Sequence, residues 1–435
     1  MRLELATFPV KDVRIGRHTR FEDGVLEIEK TEPIALVLQD PKIASADLEF
    51  AFPGERTRIV RVRDVVEPRI KVSGPGCVFP GILGPVVTVG DGRTNRLSGT
   101  TVMASVDYTP TVPGGSGAQS SGIVDMWGPG ARVTPFGSTI NIIPVLKLVD
   151  GVTELEAHTS IQMAELKIAQ YLAQTTLSQT PEKIDPYELI EVDPSLPRVV
   201  YILTCMTEWQ LPHSRVAYYG LSIRESLPTL IHPNELFDGV LTTDTRQGAG
   251  NLKTTWSWQN LPIVHELYKR HGEELNFIGV ILQRTRFETE FGKQVSAACT
   301  SQMARMLGAK GAVLTRIITS GNNFMDLMLT VQACEKKGIK TVLVTPEWGG
   351  KSGDDLPLVF YVPEADAMVS TGSFERDITL PRPERVIGLG RDDQVRLFAG
   401  DPPLSPREEI TLPGWYCLTG GCDWYGYLNL TCVEY

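Results

Sequence analysis

The spacing of hydrophobic residues changes along the chain and divides it into parts. Up to about residue 150, short runs rich in β-branched residues, such as residues 58–62 and 86–89, alternate with Asp-Gly, Pro-Gly and Asn-Arg breaks. Short apolar runs between turn residues are typical of β-strands. The pattern therefore predicts a β-rich domain over residues 1–150.

A helical period follows this first part. Hydrophobic residues three or four positions apart form one stripe, at Ile161, Ala164, Ile168 and Leu172. Such a stripe indicates a helix with one apolar face. Residues 180–197 contain four prolines and several acids, and we interpret them as a linker. Residues 151–197 are thus predicted to be a helix and a linker.

Nearly continuous apolar runs appear in the last part, at residues 277–282, 312–317 and 341–344. Strands that are buried on both faces of a parallel sheet have this composition. Helical patterns separate the runs, and the first places Val295, Cys299, Met303 and Met306 at helical spacing. The predicted fold class is α/β, with a β-rich N-terminal domain and a parallel-sheet (βαβ) C-terminal domain over residues 198–435.

The amino-acid composition restricts which partners the protein can bind and in which cellular compartment we expect it. The 435 residues include 52 acidic and 42 basic side chains, a formal net charge of −10, which argues against binding to nucleic acid. Met1-Arg2-Leu3-Glu4 is too polar for a signal peptide, and no stretch has about 18 uninterrupted apolar residues. We therefore predict a cytoplasmic protein without a membrane partner, and its seven cysteines suit a reducing compartment.

Two short motifs could indicate a bound metal ion or nucleotide. Cys417, Cys422 and Cys432 have no histidine nearby, so the four ligands of a closed zinc site are incomplete and no metal is predicted. Residues 345–352 (TPEWGGKS) resemble a phosphate loop, but Thr345 replaces its first glycine. Neither motif is a strong candidate for function.

Residues 125–136 read DMWGPGARVTPF. This string resembles the α/β proprotein of component B of the clostridial glycine, sarcosine and betaine reductases. The resemblance continues along the chain through residues 228–231, Asp238-Gly239 and the closing segment that begins at Thr419-Gly420. It marks Asp125, Gly128, Pro129, Gly130, Thr419 and Gly420 as a substrate or partner loop.

The resemblance implies a specific chemistry. In that family the proprotein is cut at an Asn-Cys bond just beyond the Asp-Gly pair, and the new terminal cysteine becomes a pyruvoyl group. The mature chains work with a separate subunit that carries a thiol or selenol. For this chain, the resemblance implies a hetero-oligomer with such a partner and a small-molecule substrate, an amine or an amino-acid derivative.

This sequence departs from the family at the cleavage place. The Asn-Cys pair falls at Thr245-Arg246 or within one residue, and no cysteine lies between Cys205 and Cys299. A cysteine-derived pyruvoyl group is therefore not expected. Thr243, Asp244 and Thr245 become the candidate catalytic residues, because an N-to-O acyl shift at Asp244-Thr245 would expose a terminal threonine nucleophile. The alternative is that this loop stays intact.

Three hypotheses follow for the function. The leading one is the alpha/beta-type subunit of a reductase-like (oxidoreductase) complex. The second is a non-catalytic scaffold that stabilises its partner, and the third is a self-processing, threonine-dependent hydrolase. We also expect the Gly-Pro-Gly segment to be a buried crossing, neither helix nor central strand, with Asp125 accepting bonds from following amides. It is predicted to pack near residues 242–248.

Overall fold

The computed structural model describes residues 1–107, 122–207, 216–243, 253–315, 321–352, 354–355, 358–373, 375–390, 393–397 and 401–422. The strands in these residues are β1 (Arg2–Pro9), β2 (Asp12–Ile15), β3 (Arg20–Glu22), β4 (Val25–Ile28), β5 (Ile43–Ala51), β6 (Thr57–Val66), β7 (Arg69–Ser73), β8 (Gly92–Ser98), β9 (Thr100–Asp107), β10 (Gly122–Asp125), β11 (Ile140–Leu148), β12 (Lys183–Glu188), β13 (Arg198–Met206), β14 (Val216–Tyr218), β15 (Leu221–Ser222), β16 (Thr229–Ile231), β17 (Leu241–Thr243), β18 (Asn276–Thr285), β19 (Gly311–Thr315), β20 (Lys340–Glu347), β21 (Met368–Ser373), β22 (Ile378–Leu380), β23 (Arg385–Ile387) and β24 (Ile410–Leu412).

The helices of the described residues are α1 (Thr31–Val37), α2 (Gly128–Arg132), α3 (Glu154–Ala173), α4 (Pro233–Phe237), α5 (Thr255–Gln259), α6 (Pro262–Arg270), α7 (Glu290–Met306) and α8 (Gly321–Glu335). Short 3-10 turns lie at Pro135–Gly137, Gln174–Thr176 and Trp415–Cys417. None of the helices in the described part of the chain combines the length and the apolarity that a membrane span requires.

The strands form several mixed sheets. One sheet has the order β12-β1-β8-β7, and a second has the order β10-β6-β9-β11-β5 with β23 paired to β6. A third has the order β16-β18-β13-β19-β20-β21, in which all neighbouring pairs are parallel except β16 with β18. Helices α7 and α8 pack against each other beside this third sheet.

The predicted division into a β-rich N-terminal domain and a separate parallel-sheet C-terminal domain is wrong. β1 pairs with β12, and β6, the second strand of its sheet, pairs with β23 near the other end of the chain. Leu3 and Leu5 share one hydrophobic cluster with Tyr201 and Phe277. The chain is therefore a mixed α/β fold in which early and late segments complete each other's sheets and core. The bounds at 150 and 197 stay a prediction.

Helix α3 begins at a capping box, in which Thr153 and Glu156 satisfy each other's backbone amides. Its predicted stripe, from Ile161 to Leu172, is buried against β9 and β6. β6 itself has all ten residues buried, including Arg58 and Asp64. Buried charges require hydrogen-bond or ion-pair partners. The contacts of β6 and of helix α3, which packs against it, are therefore candidates for a functional site.

Candidate functional site

A buried carboxylate on β6 organises the first part of the site. The Asp64 side chain accepts hydrogen bonds from the backbone amide of Thr255 at 2.8 Å and from its hydroxyl at 2.5 Å. The amide of Val65 donates to the same carboxylate at 2.8 Å. Three donors thus converge on Asp64, and they fix the beginning of α5 to the centre of the second sheet.

Thr243 is joined to this carboxylate through Thr255. The amide of Thr243 donates to the Thr255 hydroxyl at 3.1 Å, and the indole of Trp258 donates to the Thr243 hydroxyl at 2.7 Å. Both threonines are buried. Of the three predicted catalytic residues, the structure therefore places Thr243 in a buried polar network. Asp244 and Thr245 lie outside the described residues, so their roles stay predictions.

A second buried carboxyl group comes from helix α3. One oxygen of Glu165 accepts a hydrogen bond from the amide of Ala104 on β9 at 2.8 Å, whereas the other is buried and has no hydrogen-bond partner among the described residues. Burial raises the pKa of Glu165 well above its ordinary value of 4.5, the Asp64 charge raises it further, and the bond from Ala104 opposes the rise. Glu165 therefore favours the neutral acid, which can donate a proton beside a carboxylate.

The stability of the protein is expected to report this raised pKa. The native state keeps the Glu165 proton at pH values where the unfolded state has released it, so this group's contribution is fully present below about pH 4.5 and is lost as the pH rises. Relative to Glu165→Gln, which carries no titrating proton, the wild-type free energy of unfolding should fall by up to about 1.4 kcal/mol per pH unit. Urea denaturation between pH 5 and 8 measures this difference.

The control for that comparison is Glu273→Gln, since Glu273 is exposed and the described residues give it no ion pair. It makes the same chemical change at the surface and therefore shows the effect of removing a carboxyl group that is not buried. A wild-type curve that runs parallel to that of Glu165→Gln would show that Glu165 is ionised in the folded protein.

Asp125 has a structural partner that the sequence did not suggest. Its carboxylate accepts two hydrogen bonds from the Arg58 guanidinium, at 2.7 and 3.0 Å, and both side chains are completely buried. Arg58 also donates to the carbonyls of Pro381, Pro406 and Glu408. The prediction of an Asx-type turn is therefore wrong. Arg58, which lies opposite Asp125 on the neighbouring strand β6, satisfies the carboxylate instead.

The Gly-Pro-Gly segment is helical, contrary to the prediction. Gly128, Pro129 and Gly130 form the beginning of α2. The first turn of a helix does not use its backbone amides, so proline is tolerated there. Gly128 has φ +67°, which a residue with a side chain rarely adopts. The segment is buried at Gly130, where an added Cβ would lie 2.8 Å from Leu380.

The segment of residues 125–136, which contains Gly-Pro-Gly, contacts the predicted segment at Thr419-Gly420. The Thr134 hydroxyl donates to the carbonyl of Thr419 at 2.7 Å, and Gly420 packs so closely that a Cβ there would lie 2.7 Å from the same hydroxyl. The Phe136 ring packs edge-on against Trp256, which lies eight positions after residue 248 in the chain, with ring centroids 5.4 Å apart. The contact with residues 244–248 themselves lies outside the described residues and stays a prediction.

Sequence reasoning missed Asp64, Glu165 and Thr255. A signal was present for Glu165, because it follows Ala164 and lies on the apolar side of α3, where a charged residue is unusual. Asp64 lies inside a strand whose sequence, TRIVRVRDVV, mixes charges with valines and is buried throughout. Charged residues within otherwise apolar elements are the signal that finds such sites.

The described cysteines do not fit the family's pyruvoyl group. Cys205 lies within β13, is completely buried and has a pKa raised by burial. Cys299 lies within α7. Both are inside intact elements and away from the chain position of the cleavage bond, so neither can supply a terminal carbonyl there. No chemical step through a cysteine-derived pyruvoyl group is therefore derived for this chain.

Comparisons with known proteins agree with the whole-chain resemblance. The profile described as "Glycine/sarcosine/betaine reductase component B subunits" matches residues 1–431. Glycine reductase complex component B subunits alpha and beta of Acetoanaerobium sticklandii are 35% identical, with 100% of both chains covered. Sarcosine reductase complex component B subunit alpha of Peptoclostridium acidaminophilum is 35% identical, covering 89% of this chain and 90% of the relative.

A third relative extends the range of substrates named among these proteins. Betaine reductase complex component B subunit alpha of Peptoclostridium acidaminophilum is 33% identical, over 93% of this chain and 92% of the relative. No solved structure matches the chain. The match over nearly all residues, to relatives of almost the same length, shows that this chain belongs to the family of glycine/sarcosine/betaine reductase component B subunits.

Proposed function

We propose that this chain is the alpha/beta-type subunit of a component B-like reductase complex and acts on a small amine or amino-acid derivative. A separate subunit would carry the reactive thiol or selenol. Support comes from the relatives, which are named as subunits of glycine, sarcosine and betaine reductase complexes. Glycine, sarcosine and betaine share one feature, a small molecule with a positively charged nitrogen, which is quaternary in betaine, so the proposal is limited to that class.

The observation that carries the proposal is a pair of interacting buried carboxyl groups, Asp64 and Glu165, of which Asp64 is linked to Thr243 through Thr255. Asp64 holds Thr255, and Thr255 holds Thr243, so described residues on both sides of positions 244–252 are fixed to one carboxylate. Glu165 adds a neutral acid that interacts with Asp64. A carboxylate next to a carboxylic acid suits an amine substrate, because the pair can attract an ammonium group and exchange a proton with it.

Purification of the complex from its native host tests the proposal. A tag on this chain should bring down a second subunit whose thiol or selenol is labelled by iodoacetate and located by peptide mass spectrometry. The complex should reduce one member of a panel of glycine, sarcosine, betaine and related amines, and the alkylated complex should not. A homogeneous single chain that turns over a substrate unaided would contradict the proposal.

Thr245→Ala is expected to lower the turnover of this complex by about tenfold, because it removes the hydroxyl proposed to lie at the reaction site. The comparison is Thr180→Ala, which removes a hydroxyl from an exposed threonine. Steady-state rates with saturating substrate and a fixed amount of assembled complex measure the effect. Normal turnover together with weaker subunit assembly would instead favour the non-catalytic scaffold.

Intact-mass spectrometry separates the self-processing hypothesis from the other two. Cleavage at Asp244-Thr245 would convert the 435-residue chain into two fragments, residues 1–244 and 245–435. The proposed subunit function requires only that residues 243–245 lie at the site, and it is compatible with an intact chain. A single mass for the full chain would eliminate the threonine-dependent self-processing hydrolase.

A further inference from the structure

Helix α7 has its larger apolar side chains on the solvent side. Phe291 is 76% exposed, Met306 is 79% exposed and Val295 is 38% exposed. The side that faces the fold carries a buried lysine, Lys293, paired with Asp326, and otherwise small and hydroxyl-bearing residues, at Ser296, Ala297, Thr300, Ser301 and Ala304. A helix of a lone globular protein turns its apolar stripe inward. An exposed stripe on a regular helix therefore marks a surface that another molecule covers.

The arrangement of residues along α7 is symmetric about its middle. Phe291 lies near one end of the stripe and Met306 lies at the other end, and the midpoint falls between Ala298 and Cys299. If two such helices cross antiparallel about this midpoint, each phenylalanine meets a methionine of the other copy. The small Ala298 at the crossing allows the two backbones to approach closely. A two-fold contact of this kind uses the same patch on both molecules.

The charges on α7 select the antiparallel arrangement. Glu290 is in its first turn and Arg305 is in its last turn. Among the described residues, the Glu290 carboxylate accepts a bond from Gln294 at 2.8 Å, and no ion pair is formed by Arg305. An antiparallel partner places the arginine of one copy within a turn of the glutamate of the other, whereas a parallel partner places like charges together.

From these observations, we propose that a second copy of this chain docks on α7 through antiparallel, two-fold symmetric packing of the two helices. The exposed stripe of Phe291, Val295 and Met306 forms the apolar centre, and two Glu290–Arg305 pairs form the ends. This contact goes beyond the proposed function, because it joins copies of this chain and does not involve the reductase partner.

Charge reversal tests the proposal on the purified full-length chain. Glu290→Arg and Arg305→Glu should each weaken self-association by about tenfold or more in sedimentation equilibrium, because each places like charges at both ends of the contact. The double variant Glu290→Arg/Arg305→Glu should regain the wild-type dissociation constant. The matched control is Lys310→Glu, which reverses an exposed charge just beyond the helix.

Failure of the double variant to recover self-association, or single reversals that resemble the control, would overturn the proposal. A chain that stays monomeric throughout the concentration range would also overturn it. If the α7 variants instead release the thiol-bearing subunit and leave self-association unchanged, the surface belongs to that subunit and the proposal is wrong. That result would leave the proposed reductase function intact.

Cys299 offers a measurement that does not depend on charge. It is a free, half-buried cysteine next to the midpoint of the stripe. A short bismaleimide should therefore link Cys299 to Cys299 of a second copy, and peptide mass spectrometry should identify that link. Cys299→Ser should abolish the link. Met306→Gln, at an exposed and therefore tolerant position, should reduce its yield. Linking only through Cys77, the other half-buried free thiol among the described cysteines, would contradict the proposed geometry.

Discussion

Replacing Arg58 with methionine is expected to lower the free energy of unfolding by about 3–5 kcal/mol. Arg58 and Asp125 are completely buried, and the arginine also donates to three carbonyls between residues 381 and 408. Methionine fills much of the space but supplies no donor. Burial raises the pKa of Asp125 and the guanidinium opposes that rise, so loss of Arg58 leaves a buried carboxyl group without its charge partner.

Urea denaturation at pH 7 measures the loss, and the chain supplies a matched control two residues away. Arg56 is 63% exposed and pairs with the exposed Glu384, so Arg56→Met should change the free energy of unfolding by less than about 1 kcal/mol. The double variant Arg58→Met/Asp125→Asn should be more stable than Arg58→Met, because it removes the unpaired carboxylate. A cost for Arg58→Met no larger than that for Arg56→Met would show that the pair contributes little.

The ion pair also shows which parts of the fold a sequence can predict. Helix α3 was predicted from its own residues, since the hydrophobic residues of its apolar stripe lie within a few turns of each other. Arg58 and the carbonyls it binds are more than 300 residues apart. No local period encodes such a contact, so neither the pair nor the sheet it joins could be predicted.

The error in the fold class has the same origin. Alternating and continuous apolar runs locate strands but do not say which strand lies beside which. Here β1 takes β12 as a neighbour, and β6 takes β23, so each sheet contains segments from distant parts of the chain. A division by local composition therefore separated strands that share a sheet and a core.

Helix α7 illustrates a different limit. The spacing of Val295, Cys299, Met303 and Met306 identified a helix with a stripe, and that helix is present. A period reports which residues share a face, but it does not report which way the face points. Met306 is among the most exposed hydrophobic residues of the described chain. The stripe faces solvent because the small residues of the opposite face pack against the fold, and this orientation is known only from the structure.

The candidate site was predicted in outline through the resemblance and not through its chemistry. The Gly-Pro-Gly segment was selected because it carries the resemblance, and Thr243 because it lies next to the position where this sequence departs from the family's cleavage motif; Thr243 lies in a buried polar network. Asp64 and Glu165 are 101 positions apart and carry no motif. Each is a buried acid within an element that packs in the core, and only folding brings the two into electrostatic contact.

Asp64→Asn is expected to lower the turnover of the proposed reductase complex by about 100-fold, the size of effect typical for loss of a group that supports proton transfer. Asparagine keeps the shape and can still accept the Thr255 amide, but its NH₂ group faces the Thr255 hydroxyl where a carboxylate oxygen accepts a bond at 2.5 Å. Thr243 depends on that hydroxyl. The substitution therefore disturbs the position of Thr243 and removes the charge beside Glu165.

The pH profile distinguishes this positioning role from general damage to the fold. The Asp64 charge is one cause of the raised pKa of Glu165, so removing it should lower that pKa and move the corresponding limb of the kcat profile to lower pH. The control is Asp23→Asn, at an exposed aspartate with φ +51°, a conformation that asparagine tolerates well. Its profile should match the wild type. A reduced rate with an unshifted profile would mean that Asp64 supports the fold and does not tune Glu165. An unchanged rate would remove the carboxyl pair from the proposed mechanism, because a site that uses Glu165 as a proton donor must respond to the charge that sets its pKa.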